Sequence, residues 1–265
     1  MSKILWKPNT DLLEKSQMAQ FKSKINSRFN QNFKTFNELH EWACSNPKEF
    51  WSVFFKECNL KSSNSYSQVL SGTQMPGVQW FKGELLNYAE NCLKYNDNQV
   101  AIINTNETGE INRTTYNQLY KKVSRVQQWL IKNNIKKGDR VAGVVANCEE
   151  TIVIFLAVAS IGAIWTSCSP DFGEEAILSR ISQVNPKCLI YVNEYLWKGK
   201  LISVTNKLNK IRSALNSLEI SLEIVTPNSS NKKNETNNTY STILKNFNSK
   251  EIIFEQLEFN HPLYI

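Results

Sequence analysis

Two short stretches hold the residue types that could do chemistry. The first, Ser167-Cys168-Ser169-Pro170-Asp171-Phe172-Gly173, follows an apolar run and opens a helix at Glu174-Glu175. Backbone N–H groups at a helix start attract anions, yet two glutamates in the first turn already satisfy the helix dipole and repel phosphate. On residues alone, this is a tight strand-to-helix turn. The second stretch, Lys198-Gly199-Lys200, sets two ammonium groups beside a flexible glycine. That pattern suits a diphosphate, because lysine acts on phosphate as a compact point charge, and it equally describes a solvated lysine pair. Cys168 has no histidine near it in sequence to act as a base. The two histidines, His40 and His261, have no ligand-spaced partners, so neither zinc nor iron on histidine is expected. Neither GxGxxG nor GxxxxGK[ST] occurs, and no Ser/His/Asp set can be assembled. The residues show a scaffold and no catalytic constellation.

The elements that would position these turns come after Gln99. VAII (Val100–Ile103) and INRTTY (Ile111–Tyr116) flank NETGE and predict a β-hairpin. Thr115 then caps a helix whose Leu119, Val123, Val126 and Leu130 recur at helical spacing. RVAGVVAN, AIWTSC, KCLIYV and LEISLEIV read as strands, separated by helices over about 149–161, 174–184 and 200–218. Near-continuous apolar strands alternating with amphipathic helices predict an α/β fold with a parallel sheet covered on both faces. Ligands of such sheets sit beyond the carboxyl ends of the strands. That directs attention to Asn147-Cys148-Glu149, Ser167–Gly173 and Asn193–Lys200.

Upstream, residues 1–96 read as a helical cap region and 97–265 as the α/β subdomain. Asn46 is placed to cap a helix with Pro47 in its first turn and Phe50, Trp51, Phe54 and Phe55 on its apolar face. A further helix is expected over Glu84–Lys94, and an asparagine-rich insertion over 226–242 reads as a flexible surface segment. Its triplets at Asn228, Asn234 and Asn237 match the glycosylation pattern by chance in an asparagine-rich chain. With 41% hydrophobic and 21% charged residues the composition is globular. The net charge of +7 comes from scattered lysines and arginines, with no arginine-rich arm or aromatic-basic motif, so nucleic acid is not an expected partner. The uncharged run Thr151–Asp171 is broken by Gly162 and is too short an apolar stretch for a membrane span, so a buried helix running into a strand is expected. Six cysteines without a CxxC pair, and no leader-like start, predict a reducing, cytoplasmic setting.

Several stretches together resemble the acyl-adenylate-forming acyl-CoA synthetases. IKNNIKKGDRVAGVVANCEETIVIFLAVASIGAIWTSCSPDFGEEAILSRI (Ile131–Ile181) is similar to their core signature. WFKGELLNYAEN (Trp80–Asn91), Trp165–Gly173 and the opening Trp6-Lys7-Pro8 resemble the acetoacetate-activating branch, and Phe36 to Trp51 resembles the N-terminal helical cap of the short-chain enzymes. The resemblance implies the adenylate-forming fold and ATP-dependent activation of acetoacetate through acyl-AMP, with Mg²⁺ neutralising phosphate charge and CoA as the final acceptor. It places CoA phosphates at Lys198, Gly199 and Lys200, with Lys200 in the family's second basic position and Trp197 standing where the first would be. It places Asp171 and Phe172 at the CoA mouth. In the family, a strand like Phe259–Ile265 leads into a Ser/Thr/Gly-rich loop ending in Pro-Lys that cradles ATP. No such loop occurs in these 265 residues, so they are expected to be inactive in adenylation alone. Two roles follow from the resemblance: part of a ligase completed by a separate C-terminal chain, or a non-catalytic CoA-binding or regulatory module docking on a full-length synthetase.

Overall fold

The structure, a computed structural model, describes residues 5–72, 74, 76–225 and 238–265. Most of the asparagine-rich insertion, with Asn228, Asn234 and Asn237, lies outside the described residues. The chain forms two compact units, Met1–Leu60 with Asn64–Glu84, and Lys61–Ser63 with Leu85–Ile265.

The smaller unit contains α1 (Thr10–Lys15), α2 (Gln17–Phe29), α3 (Phe36–Ser45), α4 (Pro47–Glu57) and the antiparallel pair β1 (Gln68–Ser71) and β2 (Gln79–Lys82). α1, α2 and α3 begin where short polar side chains satisfy the first free N–H groups. Asn9 accepts from Leu12 N–H at 2.8 Å, and Thr35 with Glu38 forms a reciprocal capping box at α3. Asn46 stands before Pro47 as expected but makes no such cap; its amide instead donates to the Trp42 carbonyl at 2.9 Å, tying α4 to the end of α3. Ile25, Leu39 and Val53 are buried under Phe21, Phe29, Phe33 and Trp42.

The larger unit runs α5 (Tyr88–Cys92), β3 (Val100–Thr105), β4 (Ile111–Thr115), α6 (Tyr116–Lys132), β5 (Arg140–Val144), α7 (Glu149–Ser160), β6 (Ile164–Cys168), α8 (Glu174–Ile181), β7 (Cys188–Val192), β8 (Glu194–Trp197), β9 (Lys200–Ser203), α9 (Thr205–Ala214), β10 (Ile220–Ile224) and α10 (Tyr240–Asn246). The β3–β4 hairpin and the Thr115 cap, completed by Gln118, stand as predicted. Two helices are shorter than expected. The one expected from Glu84 begins only at Tyr88, because the Asn87 side chain accepts from Ala89 and Glu90 N–H and fixes the start there. The one expected from Lys200 begins at Thr205, because β8 and β9 pair as a hairpin first.

β10, β7, β5 and β6 form a parallel sheet in that order. The apolar strands face two ways, as their period of two requires. Val141, Cys188, Ile190 and Val192 pack with α6, α7 and α10, while Ala142, Val144, Leu189 and Tyr191 pack with α8 and α9. Thr151–Asp171 thus becomes α7, buried through Val153, Ile154, Leu156 and Ala157, followed by β6. No helix among the described residues is long and apolar enough to cross a membrane. Beyond β6, Trp165 N–H donates to Leu263 O at 3.1 Å and Ile265 N–H to Trp165 O at 2.9 Å, adding the last residues alongside the sheet in parallel. β5 lies between the strand that follows it, β6, and the next, β7. Connections from β5 and β6 therefore leave to opposite faces, and the carboxyl ends of β5, β6 and β7 border the position where such folds bind ligands.

Candidate functional site

The turns singled out in the sequence all follow strands of this sheet. After β5, Asn147-Cys148-Glu149 is tied up internally. Thr151 Oγ1 donates to the Ala146 carbonyl at 2.8 Å, Cys148 Sγ lies 3.4 Å from Thr151 Oγ1, and Glu149 pairs with Lys122. Burial pushes the Cys148 thiol up to about 11, helped by the nearby Glu150 charge, so it remains protonated at neutral pH.

After β6, Cys168 to Gly173 connects to α8, and Gly173 starts that helix with no side-chain cap. The Cys168 thiol is also raised, by burial first and by Asp171, against the opposing Arg180 and Lys207 charges. A raised thiol is the opposite of what a nucleophilic cysteine needs. This turn is held by two cations that local sequence did not reveal. Lys207, from α9, donates to the carbonyls of Pro170 and Phe172, each at 2.6 Å. The Arg180 guanidinium lies 5.2 Å from the centre of the Phe172 ring, a cation–π distance. Lys210 Nζ pairs with Glu174 at 3.2 Å, so one of the two glutamates at the start of α8 is partly neutralised by α9. Asp171 and Phe172 therefore sit on a loop fixed from α8 and α9.

After β7 comes the hairpin. Trp197 pairs across it with Lys200, so the two side chains leave the same face of the ribbon. Lys198 and Gly199 make the two-residue turn with φ of +49° and +73°. Both central residues are left-handed, the type I′ pattern that matches the twist of the strands. The Lys198 ammonium lies 5.7 Å from the centre of the Trp197 indole. Trp197, Lys198 and Lys200 are all exposed. The Trp197 indole therefore carries a cation on its own face. Val204 N–H donates to the Asn193 carbonyl at 2.7 Å and closes the base of the hairpin, from which α9 leads back to the Asp171–Phe172 loop through Lys207. Both candidate stretches are thus brought to the carboxyl end of the sheet and joined through α9.

Of the two histidines, His40 stacks on Phe36, and a His261 ring nitrogen lies 2.8 Å from the Gly162 carbonyl. Among the described residues, no three His, Cys, Asp or Glu side chains group so as to hold a metal ion.

The model of the AMP-binding enzyme family matches residues 88–259. The chain belongs to that family. An acetyl-coenzyme A synthetase N-terminus model matches residues 36–92 of this AMP-binding family member. The chain is 34% identical over 98% of its length to acetoacetyl-coenzyme A synthetase of Rhizobium meliloti (strain 1021), covering 40% of that protein. It is 35% identical over its whole length to acetoacetyl-CoA synthetase of Xenopus tropicalis, covering 41% of that protein. The solved structure of acetoacetyl-CoA synthetase from Streptomyces lividans superposes with a TM-score of 0.88 at 28% identity, over 99% of this chain and 41% of that one. The fold is accordingly the adenylate-forming one expected from the sequence. The chain spans about two fifths of the length of the relatives it matches.

Proposed function

We propose that these 265 residues supply the N-terminal helical cap region and the first α/β subdomain of an ATP-dependent acid–CoA ligase acting on acetoacetate, and that the β8–β9 hairpin holds phosphates of CoA. What supports the first part is agreement along the entire chain with relatives named as acetoacetyl-CoA synthetases. In the overall reaction, a carboxylate oxygen attacks the α-phosphorus of ATP and diphosphate leaves; the CoA sulfur then attacks the acyl carbon and AMP leaves. ATP and Mg²⁺ enter as requirements of that chemistry, in which the metal neutralises phosphate charge. The residues at hand act by binding and orienting. The Lys198 and Lys200 ammonium groups meet CoA phosphates, with Lys198 steered by the Trp197 ring, and the loop carrying Asp171 and Phe172 stands at the CoA mouth, braced by Lys207 and Arg180.

Two measurements test this. Lys200→Ala is expected to weaken CoA binding in titration calorimetry by about tenfold at low salt, with the difference shrinking as salt rises, because exposed charge pairs are screened. Equal affinity for both proteins removes the hairpin from the site. The second concerns turnover. The 265 residues contain no Ser/Thr/Gly-rich loop ending in Pro-Lys. Incubated alone with ATP, Mg²⁺, acetoacetate and CoA, they are expected to release no AMP or diphosphate above blank, and sustained release overturns the assignment of the phosphate-gripping machinery to other segments.

A further inference from the structure

The Gly199 N–H, at the tip of the basic hairpin, donates to the Glu107 carboxylate at 2.9 Å, across 92 residues of sequence. Glu107 is at the apex of the β3–β4 hairpin, and that apex is built to hold it out. Asn106 Oδ1 accepts from Thr108 N–H at 3.0 Å, Thr108 Oγ1 at 2.6 Å and Glu110 N–H at 3.2 Å, while Asn106 Nδ2 donates to Glu110 Oε2 at 3.1 Å. Gly109 closes the turn at φ +83°. Asn106 and Asn112 thus occupy the Glu110 carboxylate, and Glu107 is the one that reaches the other hairpin. Turn N–H groups flanked by cations form concavities that attract anions. Here the anion is supplied from within the chain.

We propose that the Glu107 carboxylate is an internal anion seated on the Lys198–Gly199 turn, and that it sets the affinity of this turn for phosphate-bearing ligands because an incoming phosphate must displace it. This rests on the assignment of the hairpin to CoA phosphates. Glu107 accepts the tip N–H that a phosphate oxygen would otherwise take, and its charge repels a phosphate drawn to Lys198 and Lys200. Glu107 is exposed, so its replacement leaves the core untouched.

Calorimetric titration of CoA into the natural chain, Glu107→Gln, Glu110→Gln and Lys200→Ala tests it. Glu107→Gln is expected to bind CoA about three- to tenfold more tightly, with the gain largest at low salt. Glu110→Gln removes the same charge from the same hairpin at a position to which the Gly199 N–H does not donate, and is expected to change affinity less than about twofold. If Glu107→Gln leaves affinity unchanged or weakens it while Lys200→Ala still loses binding, the displacement idea is overturned and the hairpin remains a phosphate site. If neither the natural chain nor Glu107→Gln binds CoA, the hairpin assignment fails and this inference falls with it. A gain equal in Glu107→Gln and Glu110→Gln reduces Glu107 to general electrostatics and likewise overturns the proposal.

Discussion

Asn87→Ala is expected to lower the stability of the larger unit by about 3–4 kcal/mol, a fall in Tm of roughly 10 °C for a unit of this size. Asn87 is fully buried and spends both ends of its amide. Its Nδ2 donates to the carbonyls of Ala159 at 3.0 Å, Ser160 at 3.2 Å and Glu255 at 2.8 Å. Its Oδ1 accepts from Ala89 N–H at 2.9 Å and Glu90 N–H at 3.3 Å. One side chain thereby starts α5, finishes α7 and pins the segment that returns past Leu257, which itself exchanges backbone hydrogen bonds with Leu86. Alanine leaves these groups buried without partners. Asn87→Asp is the sharper variant: it keeps the acceptor for α5 but turns an oxygen toward three carbonyls. Thermal melts followed by circular dichroism are expected to place Asn87→Asp no higher than Asn87→Ala. A near-native Tm for Asn87→Asp would show that the donor half of the network contributes little.

Gly143→Val is expected to cost about 3 kcal/mol and Gly143→Ala somewhat less, by overpacking rather than by backbone strain. Gly143 lies mid-strand in β5, opposite Ser167 of β6. A Cβ there would stand 2.8 Å from Trp165 Cζ2, 2.9 Å from Cη2 and 3.2 Å from the Ser167 Cβ. The indole has little room to retreat: it is buried against Phe155, and its Nε1–H donates to Ser167 Oγ at 3.1 Å. Trp165→Phe removes the two atoms that clash, so Gly143→Ala and Trp165→Phe together are expected to destabilise less than the sum of the single changes, by about 1 kcal/mol or more. Denaturant titration of the four proteins measures this coupling, and strict additivity would place the strain elsewhere.

The β3–β4 hairpin, the strands of the parallel sheet with the helices between them, and the two candidate turns were legible in the sequence because hydrophobic period and capping are local properties. Thr115 with Gln118 announces a helix start within four residues, and KCLIYV announces a doubly covered strand by having no polar side to show. The β8–β9 hairpin was not legible. Its turn is Lys198-Gly199 rather than an asparagine–glycine pair, and a lysine at φ +49° is something that only pairing of the flanking strands imposes. The short cap at Asn87 was hidden for a related reason, since asparagine can cap, turn or pack, and here three carbonyls from distant segments make the choice. The resemblance pointed to Asp171, Phe172 and Lys198 to Lys200, but not to the side chains that touch them. Lys207 reaches the Phe172 carbonyl across 35 residues and Glu107 reaches Gly199 across 92. Sequence by itself determined the strands of the parallel sheet, the helices between them and where the two candidate turns fall, because those follow from neighbours along the chain. Tertiary structure alone decided which charges meet at those turns, because a contact between distant residues depends on how the sheet orders its strands.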